Sequence, residues 1–332
     1  MTAPLLIELG CEELPANACR VAEREAGRAV ERLLAERRLA PTGVEVFVTP
    51  RRIAVIAEGV PAEAPAETTT VTGPPEKAAR DESGAWTKAA EGFARKHGLA
   101  PEELEVRDGL LTATVSSPAE PLGDHAQALV DGLIDSLQMP KNMRWGSGAL
   151  RFARPIRTLI VMHGDQVLPA EVQGVASGRT TRGHRVLRPE LEVASVGDWA
   201  VDLGGAGVAA RTADRREVIE ALLASSAKAH DAEWTDPHGV LAEVVYLVEW
   251  PRVLDGSIHE RFLELPESVL ITAMQSHQRY LPLRGATGTL RPVFLTVVNS
   301  HPDADAAVRA GNERVLAGRL DDAVFSLGKD RA

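Results

Sequence analysis

The chain has 332 residues, of which 44% are apolar, 25% charged and 4% aromatic, and its formal net charge is −10. This length predicts two or three domains with enough apolar residues to fill a large core. Two cysteines, Cys11 and Cys19, are too few for a secreted disulfide scaffold and too isolated for a zinc site, so reduced, partly buried thiols are expected. No apolar run approaches 18 residues and the N-terminus lacks the pattern of a signal peptide, which predicts a cytoplasmic protein with no membrane span.

The first part of the chain alternates strand and helix patterns. An apolar run predicts a strand at 5–9, and apolar residues at helical spacing predict a helix over 16–38. Two strands, 44–48 and 53–60, are joined through the turn Thr49-Pro50-Arg51-Arg52. Residues 61–84 are rich in Pro and Thr and predict a loop or exposed connection. A helix at 86–97, a strand at 110–115 and a helix at 122–137 follow.

The second part is less regular. A β-hairpin is predicted for 158–163 and 167–172 around Gly164-Asp165. Residues 197–230 are helical with a break at 204–207, and 240–248 are of uncertain type. A helix at 266–277, a strand at 290–298 and a helix at 303–319 complete the pattern. The fold class is therefore α+β, with mixed, mostly antiparallel sheets and packed helices. We place the domain boundary near residue 190, giving a body domain of 1–190 and a second α+β or helical region of 191–332.

Common catalytic signatures are missing from the sequence. There is no phosphate-binding loop, zinc-binding helix, nucleophile elbow or C-x-x-C pair. The dipeptide His230-Asp231 could hold a metal, but an exposed helix end is the simpler interpretation. Glu12 and Glu13 are adjacent, so their side chains should diverge and are unsuited to joint acid and base chemistry. The sequence predicts no catalytic residue, metal or cofactor in this chain.

One segment concentrates positive charge. Residues 141–188 contain nine basic residues and only two acidic ones, Asp165 and Glu171, a surplus of seven in a chain of −10. The nine are Lys141, Arg144, Arg151, Arg154, Arg157, Arg179, Arg182, Arg185 and Arg188. Guanidinium groups suit bidentate contact with phosphate, and Trp145 and Phe152 could stack on a base or pack in the core. RNA contact and internal ion pairing with the acidic remainder are the two interpretations.

Two further polar groups stand near predicted helices. His277, Gln278, Arg279 and Tyr280 follow a helix, where they could read an unpaired nucleotide or cap the helix and pack at the edge of the core. Asn312 and Arg314 belong to a later polar series that also includes Arg319 and Asp322, and an exposed helical face is the alternative there. With Arg51, Arg52 and His184, these residues complete the candidates for an RNA or partner interface.

Nine motifs together resemble one family, and they occur in its order along almost the whole chain. The residues are 8–15 (ELGCEELP), 49–52 (TPRR), 143–146 (MRWG), 152–156 (FARPI), 177–185 (SGRTTRGHR), 243–251 (EVVYLVEWP), 277–280 (HQRY), and the pair 311–315 (GNERV) with 319–325 (RLDDAVF). The family is the beta subunit of bacterial glycyl-tRNA synthetase. The sequence departs from its pattern at Cys11, where Thr is usual, and at Leu281, where Phe is common. Ser326-Leu327 also replaces an aromatic pair.

The resemblance implies the N-terminal part of a subunit that binds and positions tRNA-Gly. In the implied α2β2 enzyme, the alpha subunit carries the class II site and uses ATP and Mg. A family member is about twice this long, the missing part holding an HD-like and an anticodon-binding domain, so this chain alone is not expected to be catalytic. Its body is expected to resemble the B3/B4 fold of phenylalanyl-tRNA synthetase. Two alternatives stay open: a non-catalytic assembly module or truncated paralogue, and a B3/B4-like deacylase of mischarged tRNA using His184, His277 and Glu313.

Overall fold

A computed structural model of the chain describes residues 1–81, 84–146, 148–188 and 190–330. The helices are α1 Ala16–Ala35, α2 Lys88–Lys96, α3 Leu122–Ser136, α4 Trp199–Gly205, α5 Thr212–Lys228, α6 Leu241–Val244, α7 Glu267–Thr272 and α8 Asp305–Asp330. Short 3₁₀ turns cover Glu76–Ala78, Pro101–Glu103, Glu260–Phe262 and Pro302–Ala304, and a π-helix covers Ala273–His277. None of the helices within these ranges is long and apolar enough to cross a membrane.

The strands of the first half are β1 Thr2–Cys11, β2 Gly43–Thr49, β3 Arg52–Pro61, β4 Glu63–Ala64, β5 Glu67–Pro75, β6 Glu105–Arg107, β7 Leu110–Ser117 and β8 Glu120–Pro121. Those of the middle are β9 Met143–Arg144, β10 Arg151–Phe152, β11 Ile156–His163, β12 Gln166–Val167, β13 Glu171–Val172, β14 Val175–Ala176, β15 Thr180–Thr181 and β16 Leu191–Glu192. The last four are β17 Ala232–Trp234, β18 Arg252–Ser257, β19 Leu281–Gly285 and β20 Leu290–Val298. Every ladder between these strands is antiparallel, which confirms the α+β class.

The central sheet has the strand order β12-β11-β1-β3-β2. Successive side chains of a strand point to opposite faces, so Leu5, Ile7 and Leu9 pack with α1 and α3, while Leu6 faces a second core around Trp199. Both faces are thus covered, which explains why β1 is an almost unbroken apolar run. Gly10 is required in this strand because a Cβ there would lie 1.9 Å from Oγ1 of Thr158 on β11.

A small module is inserted between β4 and β8. It contains the sheet β5-β7-β6 and helix α2, and its own core includes Ala90, Leu111 and Ala113. The prediction of a loop over 61–84 is therefore wrong for β4 and β5, while Glu82 and Ser83 lie outside the described residues. The exposed, Thr-rich β5 gave no alternation of apolar residues, and its partner β7 lies about forty residues later.

The second sheet has the order β17-β19-β20-β18, with α5 and α8 packed on it. Leu281 and Leu295 of this sheet belong to the same apolar core as Leu5 and Leu9 of the central sheet. The segment after the predicted boundary at residue 190, through Trp199 and Leu203, covers the central sheet. The division into 1–190 and 191–332 stays a prediction, and the two regions share cores on both sides of it.

Several other predicted elements differ in extent. The second strand of the hairpin, predicted at 167–172, pairs with β11 only over Gln166–Val167. The stretch of uncertain type, 240–248, contains the short helix α6. The final helix, predicted at 303–319, begins at Asp305 and continues to Asp330. The predicted helix over 266–277 changes to π geometry at Ala273.

Candidate functional site

Motifs that are far apart in the sequence meet at the turn between β2 and β3. The Cys11 N–H donates to the Arg51 carbonyl at 2.7 Å, and the Leu14 N–H donates to the Pro50 carbonyl at 2.6 Å. The Glu12 N–H donates to the Pro155 carbonyl at 2.9 Å. These backbone bonds hold the segments 8–15, 49–52 and 152–156 side by side, so three of the sequence motifs form one site.

Four charged side chains at this turn form a buried ionic network, consisting of Glu8, Arg51, Arg52 and Glu249. Arg52 lies between the two carboxylates, with Nε 3.4 Å from Oε1 of Glu8 and Nη1 3.6 Å from Oε1 of Glu249. Arg51 Nη1 is 3.3 Å from Oε2 of Glu249. Both carboxylates are fully buried and Arg52 is 1% exposed. Two positive and two negative charges balance, as burial of charge requires.

Hydrogen bonds from uncharged groups complete the buried ionic network. Glu8 accepts from Trp199 Nε1 at 2.5 Å and from the Thr181 hydroxyl, and Glu249 accepts from the Thr49 hydroxyl at 2.8 Å. Arg51 Nη1 donates to the Gly183 carbonyl at 3.1 Å. Burial lowers the pKa of Arg51, and Glu249 opposes that shift. Since Arg51 and Arg52 are buried among protein partners, they hold the site together and do not belong to its exposed cationic surface.

The segments that supply Glu249 and Gly183 are fixed by further contacts. Oδ1 of Asn299 accepts the N–H groups of Glu249 and Trp250, both at 2.9 Å. His184, 1% exposed, contacts the Asn299 carbonyl through Nε2 at 3.0 Å. A Cβ on Gly183 would lie 2.4 Å from the Arg188 carbonyl, so only glycine permits this close approach. His184 is therefore part of the packing between segments.

A second set of charges pairs at the rim of the site. Arg157 Nε is 2.9 Å from Oε1 of Glu12, and Arg185 lies 3.7 Å from Glu12 and 3.1 Å from Glu13. The hydrogen bond from Arg157 holds the pKa of the Glu12 carboxyl below its ordinary value. All four side chains are at least 32% exposed, so these pairs contribute little to stability. Internal pairing, one of the two interpretations from the sequence, thus holds for Arg157 and Arg185.

The other basic residues of 141–188 have no carboxylate partner among the described residues. Arg179 is held by carbonyls, donating to Ala194 at 2.9 Å and also to Asp165. Arg154 donates to the Ala153 carbonyl at 2.8 Å and is half-buried. Six basic residues of the segment have neither an ion pair nor, like Arg179, several carbonyl acceptors. They are Lys141, Arg144, Arg151, Arg154, Arg182 and Arg188. An open cationic surface therefore exists, although it is smaller than the sequence count suggests.

One exposed part of it is the cationic hairpin, formed by β9, β10 and the preceding Lys141. Arg144 and Arg151 are directly opposite in the ladder, and both are exposed. Like charges at opposite positions of an antiparallel pair repel each other, and no carboxylate of the described chain relieves this pair. Trp145 is half-buried and packs on the main core, and Phe152 is 1% exposed. Packing is thus the interpretation that holds for Phe152, while the cations remain open.

The cluster at 277–280 is mostly structural. Tyr280 is buried and stacks on Phe294, with ring centroids 4.5 Å apart, and burial raises its pKa to about 12. Arg279, at φ +58, lies 2.8 Å from Oε1 of Glu243. His277 is exposed and lines a groove of about 360 Å³ with Arg319 and Asp322. Gln278 is half-buried. His277, Gln278 and the partly exposed guanidinium of Arg279 keep accessible polar groups for a ligand.

The remaining candidates lie on other parts of the second region. Arg314 is exposed and Asn312 half-buried on α8. Glu313 accepts the N–H of Ser257 at 2.8 Å, and no hydrogen bond or ion pair of the described residues joins it to His184 or His277. His230 lies 3.4 Å from Asp255. Within the described ranges, no group of three His, Cys, Asp or Glu side chains could hold a metal ion.

Sequence reasoning missed the acidic half of the buried ionic network. Glu8 and Glu249 each interrupt an apolar run, and a lone carboxylate in such a run signals a buried charge that needs a cationic partner. Asn299, Thr181 and Trp199 carried no such signal.

Cys11 and Cys19 are free and fully buried, whereas the sequence predicts partly buried thiols. Burial raises the pKa of Cys19 to about 12.

Comparison with known proteins bears on the same segments. The family model described as "Glycyl-tRNA synthetase beta subunit" matches residues 5–332. Glycine–tRNA ligase beta subunits of Shouchella clausii, Bacillus subtilis and Halalkalibacterium halodurans are 37%, 37% and 39% identical, over 100%, 98% and 98% of this chain and 48%, 49% and 48% of their own length. The chain spans about half the length of the curated relatives it matches. The chain therefore belongs to the glycyl-tRNA synthetase beta subunit family and corresponds to the N-terminal part of its relatives.

Proposed function

We propose that this chain is the tRNA-binding N-terminal region of a glycine–tRNA ligase beta subunit. It binds and positions tRNA-Gly in the cytoplasm, while an alpha subunit, in an α2β2 assembly, carries the class II site and performs the ATP- and Mg-dependent glycylation. The chain itself contributes no catalytic residue to this reaction. The observation that carries the proposal is the cationic hairpin, where Arg144 and Arg151 stand opposite each other without a carboxylate of the described chain.

A cross-strand pair of guanidinium groups is unfavourable in the free protein and becomes favourable when a phosphate lies between them. Lys141, just before β9, adds a third exposed cation. The net charge of −10 opposes any general attraction of RNA to the chain, so attraction must be local to this surface.

The test is the salt dependence of tRNA-Gly binding by the chain together with the alpha subunit. Replacing Lys141, Arg144 and Arg151 by Gln should weaken binding and reduce the slope of log K against log salt by about 2 to 3, since each phosphate contact contributes roughly 0.7 to 0.9. A matched control replaces three exposed cations of α2, Lys88, Arg95 and Lys96, and should leave the slope unchanged. An unaltered slope in the hairpin variant, or an equal decrease in the control, would refute the proposal.

A second candidate function is docking to the alpha subunit without RNA contact. It is favoured by Leu247 and Trp250, which are 40% and 42% exposed beside the buried ionic network. Size-exclusion chromatography with the alpha subunit, with and without tRNA-Gly, separates the two functions. A complex with the alpha subunit that forms without tRNA-Gly and does not bind tRNA-Gly would favour docking. For the deacylase alternative, His184, His277 and Glu313 supply no connected set of side chains.

A further inference from the structure

A small cavity lies beside the buried ionic network, at the start of α1. Its volume is about 260 Å³, and Leu14, Pro15, Pro50 and Leu247 form its apolar lining. Arg51, Arg154 and Asn299 supply most of its polar groups. We call it the Pro15 cavity. Pockets that enclose a drug-sized ligand hold roughly 300–1,000 Å³, so this one suits a single small group and not a whole nucleotide.

Arg51 brings a fixed and incompletely satisfied cation to the Pro15 cavity. It is only 7% exposed, and its Nη1 atom is used by Glu249 and Gly183. Its buried Nε atom has no hydrogen-bond partner in the part of the chain that the structure describes. A buried donor without an acceptor costs about 1–3 kcal/mol. A ligand with acceptor oxygens in this cavity would be drawn to the Arg51 guanidinium.

Arg154 adds a second guanidinium to the lining of the Pro15 cavity. It is half-buried, and its Nη1 atom donates to the carbonyl of the neighbouring Ala153. No carboxylate of the described residues pairs with it. Most of its five donors are therefore free, and the planar fork of a guanidinium matches the oxygens of a phosphate.

Asn299 presents donors only. Its Oδ1 atom accepts two backbone N–H groups, from Glu249 and Trp250, both at 2.9 Å. Those two bonds fix the orientation of the amide, because only the oxygen can accept. Its Nδ2 atom has no acceptor among the described residues, although the side chain lines the Pro15 cavity. Asn299 thus offers two N–H donors whose direction is set by the backbone.

The N-terminus of α1 adds a favourable electrostatic field. This helix is 20 residues long, begins after Pro15, and has neither a side-chain cap nor an acidic residue in its first turn. The first N–H groups of a helix lack partners within it and carry partial positive charge. Those of Ala16 and Asn17 have no acceptor in the described part of the chain. Anions bind readily at such a helix end.

One acidic residue also lines the Pro15 cavity. Glu13 is engaged by Arg185, with Oε1 3.1 Å from Nη1. Counting the charges in and around the cavity gives six arginines, Arg51, Arg52, Arg154, Arg157, Arg182 and Arg185, against Glu8, Glu12, Glu13 and Glu249. The surplus is two positive charges. A single phosphate group, with its charge between one and two, would balance it.

We infer that the Pro15 cavity is a binding subsite for one phosphate group of a bound RNA strand, held by Arg51, Arg154, the Asn299 amide and the start of α1. This rests on the proposed function and extends it from the exposed cationic hairpin to a partly buried, donor-rich site. The apolar lining of Leu14, Pro15 and Pro50 reduces the water around the phosphate on that side, and a lower local dielectric strengthens its contacts with the guanidinium groups.

The test uses amide NMR spectra of the 332-residue chain with two probes, inorganic phosphate and a tRNA-Gly transcript. Both probes should shift the backbone signals of Ala16 and Asn17 and the side-chain NH₂ signal of Asn299. Arg154→Gln should abolish the shifts at Ala16 and Asn17 and weaken binding of the transcript by about tenfold, as expected for loss of a charged hydrogen bond. Arg95→Gln on α2, an exposed arginine without a carboxylate partner among the described residues, should change neither.

Asn299→Asp is the second variant, and it replaces the two donors by an anionic oxygen while keeping acceptors for the backbone N–H groups. It should also abolish the phosphate shifts. Should it fail to fold, Arg154→Gln alone decides. Absence of phosphate shifts in the unmodified chain would overturn the inference. So would transcript binding that is equally tight in Arg154→Gln and in the unmodified chain, although the proposed function would then stand. Phosphate shifts without any transcript binding would overturn the inference and leave a site for small phosphates, and the proposed function would fall as well if the chain with the alpha subunit also bound no transcript.

Discussion

The buried ionic network and the cationic hairpin are built from the same kind of side chain, but their surroundings give them opposite properties. Arg52 is 1% exposed between Glu8 and Glu249, whereas Arg144 and Arg151 are exposed and face each other. A guanidinium without access to water needs carboxylates or carbonyls of the protein as partners, whereas an exposed one is solvated and stays available to a ligand. The comparison teaches that the number of arginines in a segment predicts neither stability nor RNA affinity unless the burial of each side chain is known.

Removing one carboxylate from the buried ionic network is the strongest test of the difference between buried and exposed charges. Glu249→Ala leaves Arg51 and Arg52 with only Glu8 to balance them, and removes the acceptor of the Thr49 hydroxyl. The free energy of unfolding should fall by about 3–5 kcal/mol. Urea denaturation measures this loss, provided that the dependence of the unfolding free energy on urea concentration is the same in both proteins. Glu12→Ala, from an exposed pair, is the control and should cost below about 1 kcal/mol. Equal losses would show that burial is not the deciding factor.

A second buried arginine tests whether carboxylates are needed at all. Arg215 is fully buried and donates to the carbonyls of Val48, Ala209 and Val245 at 2.6–2.7 Å, with no carboxylate partner among the described residues. Burial lowers its pKa. Arg215→Met keeps the length of the side chain but leaves these carbonyls unpaired. Unfolding should become easier by about 2–3 kcal/mol, and a neutral result would mean that the removed desolvation cost outweighs the lost hydrogen bonds.

The rim of the site predicts a weak dependence on pH. Arg157 lowers the pKa of the Glu12 carboxyl from its ordinary value of 4.5 in the folded state. The pair therefore stabilises the fold fully above that ordinary value, and this contribution is lost as pH falls through the lowered pKa. Because both side chains are at least 32% exposed, the effect should stay below about 1 kcal/mol. Comparing Glu12→Gln with the unmodified chain between about pH 6 and pH 3 should show the difference shrinking on acidification.

The smallest expected effect belongs to the cationic hairpin. Replacing Lys141, Arg144 and Arg151 by Gln should change the free energy of unfolding by no more than about 0.5 kcal/mol, as is usual for exposed positions. A slight gain is expected, since the repulsion between Arg144 and Arg151 disappears. The same urea measurements decide it. A loss of 2 kcal/mol or more would mean that the hairpin is structural, and its unpaired charges would then need another explanation.

Local patterns were sufficient for much of the fold. The apolar run of β1, the two strands on either side of Thr49-Pro50-Arg51-Arg52, and β20 at Leu290–Val298 all lie where the sequence predicts strands. Helices α1 and α3 lie within one to three residues of their predicted limits. Each of these elements buries a face with its own periodicity, so its signal is contained in a short window.

The rest depends on contacts between distant residues. β5 is exposed along most of its length and exists because it pairs with β7, so its own composition resembled a loop. The candidate site joins Arg51 to Gly183 and to Glu249, 132 and 198 positions away. Motif order indicated which segments matter but not that they meet. The sequence therefore identifies the candidate arginines, but only the tertiary structure distinguishes those paired within the protein from those exposed to solvent.

The inserted module has one more consequence, which follows from how it is attached. Its two connections to the body, β4 and β8, pair with each other over Glu63–Ala64 and Glu120–Pro121, so the chain leaves and re-enters the body at nearly the same point. Opposite residues of an antiparallel ladder are only about 4.5–5.5 Å apart. A two- or three-residue turn could span that gap, which makes this module a natural unit for loss, exchange or enlargement among related chains without rearrangement of the central sheet.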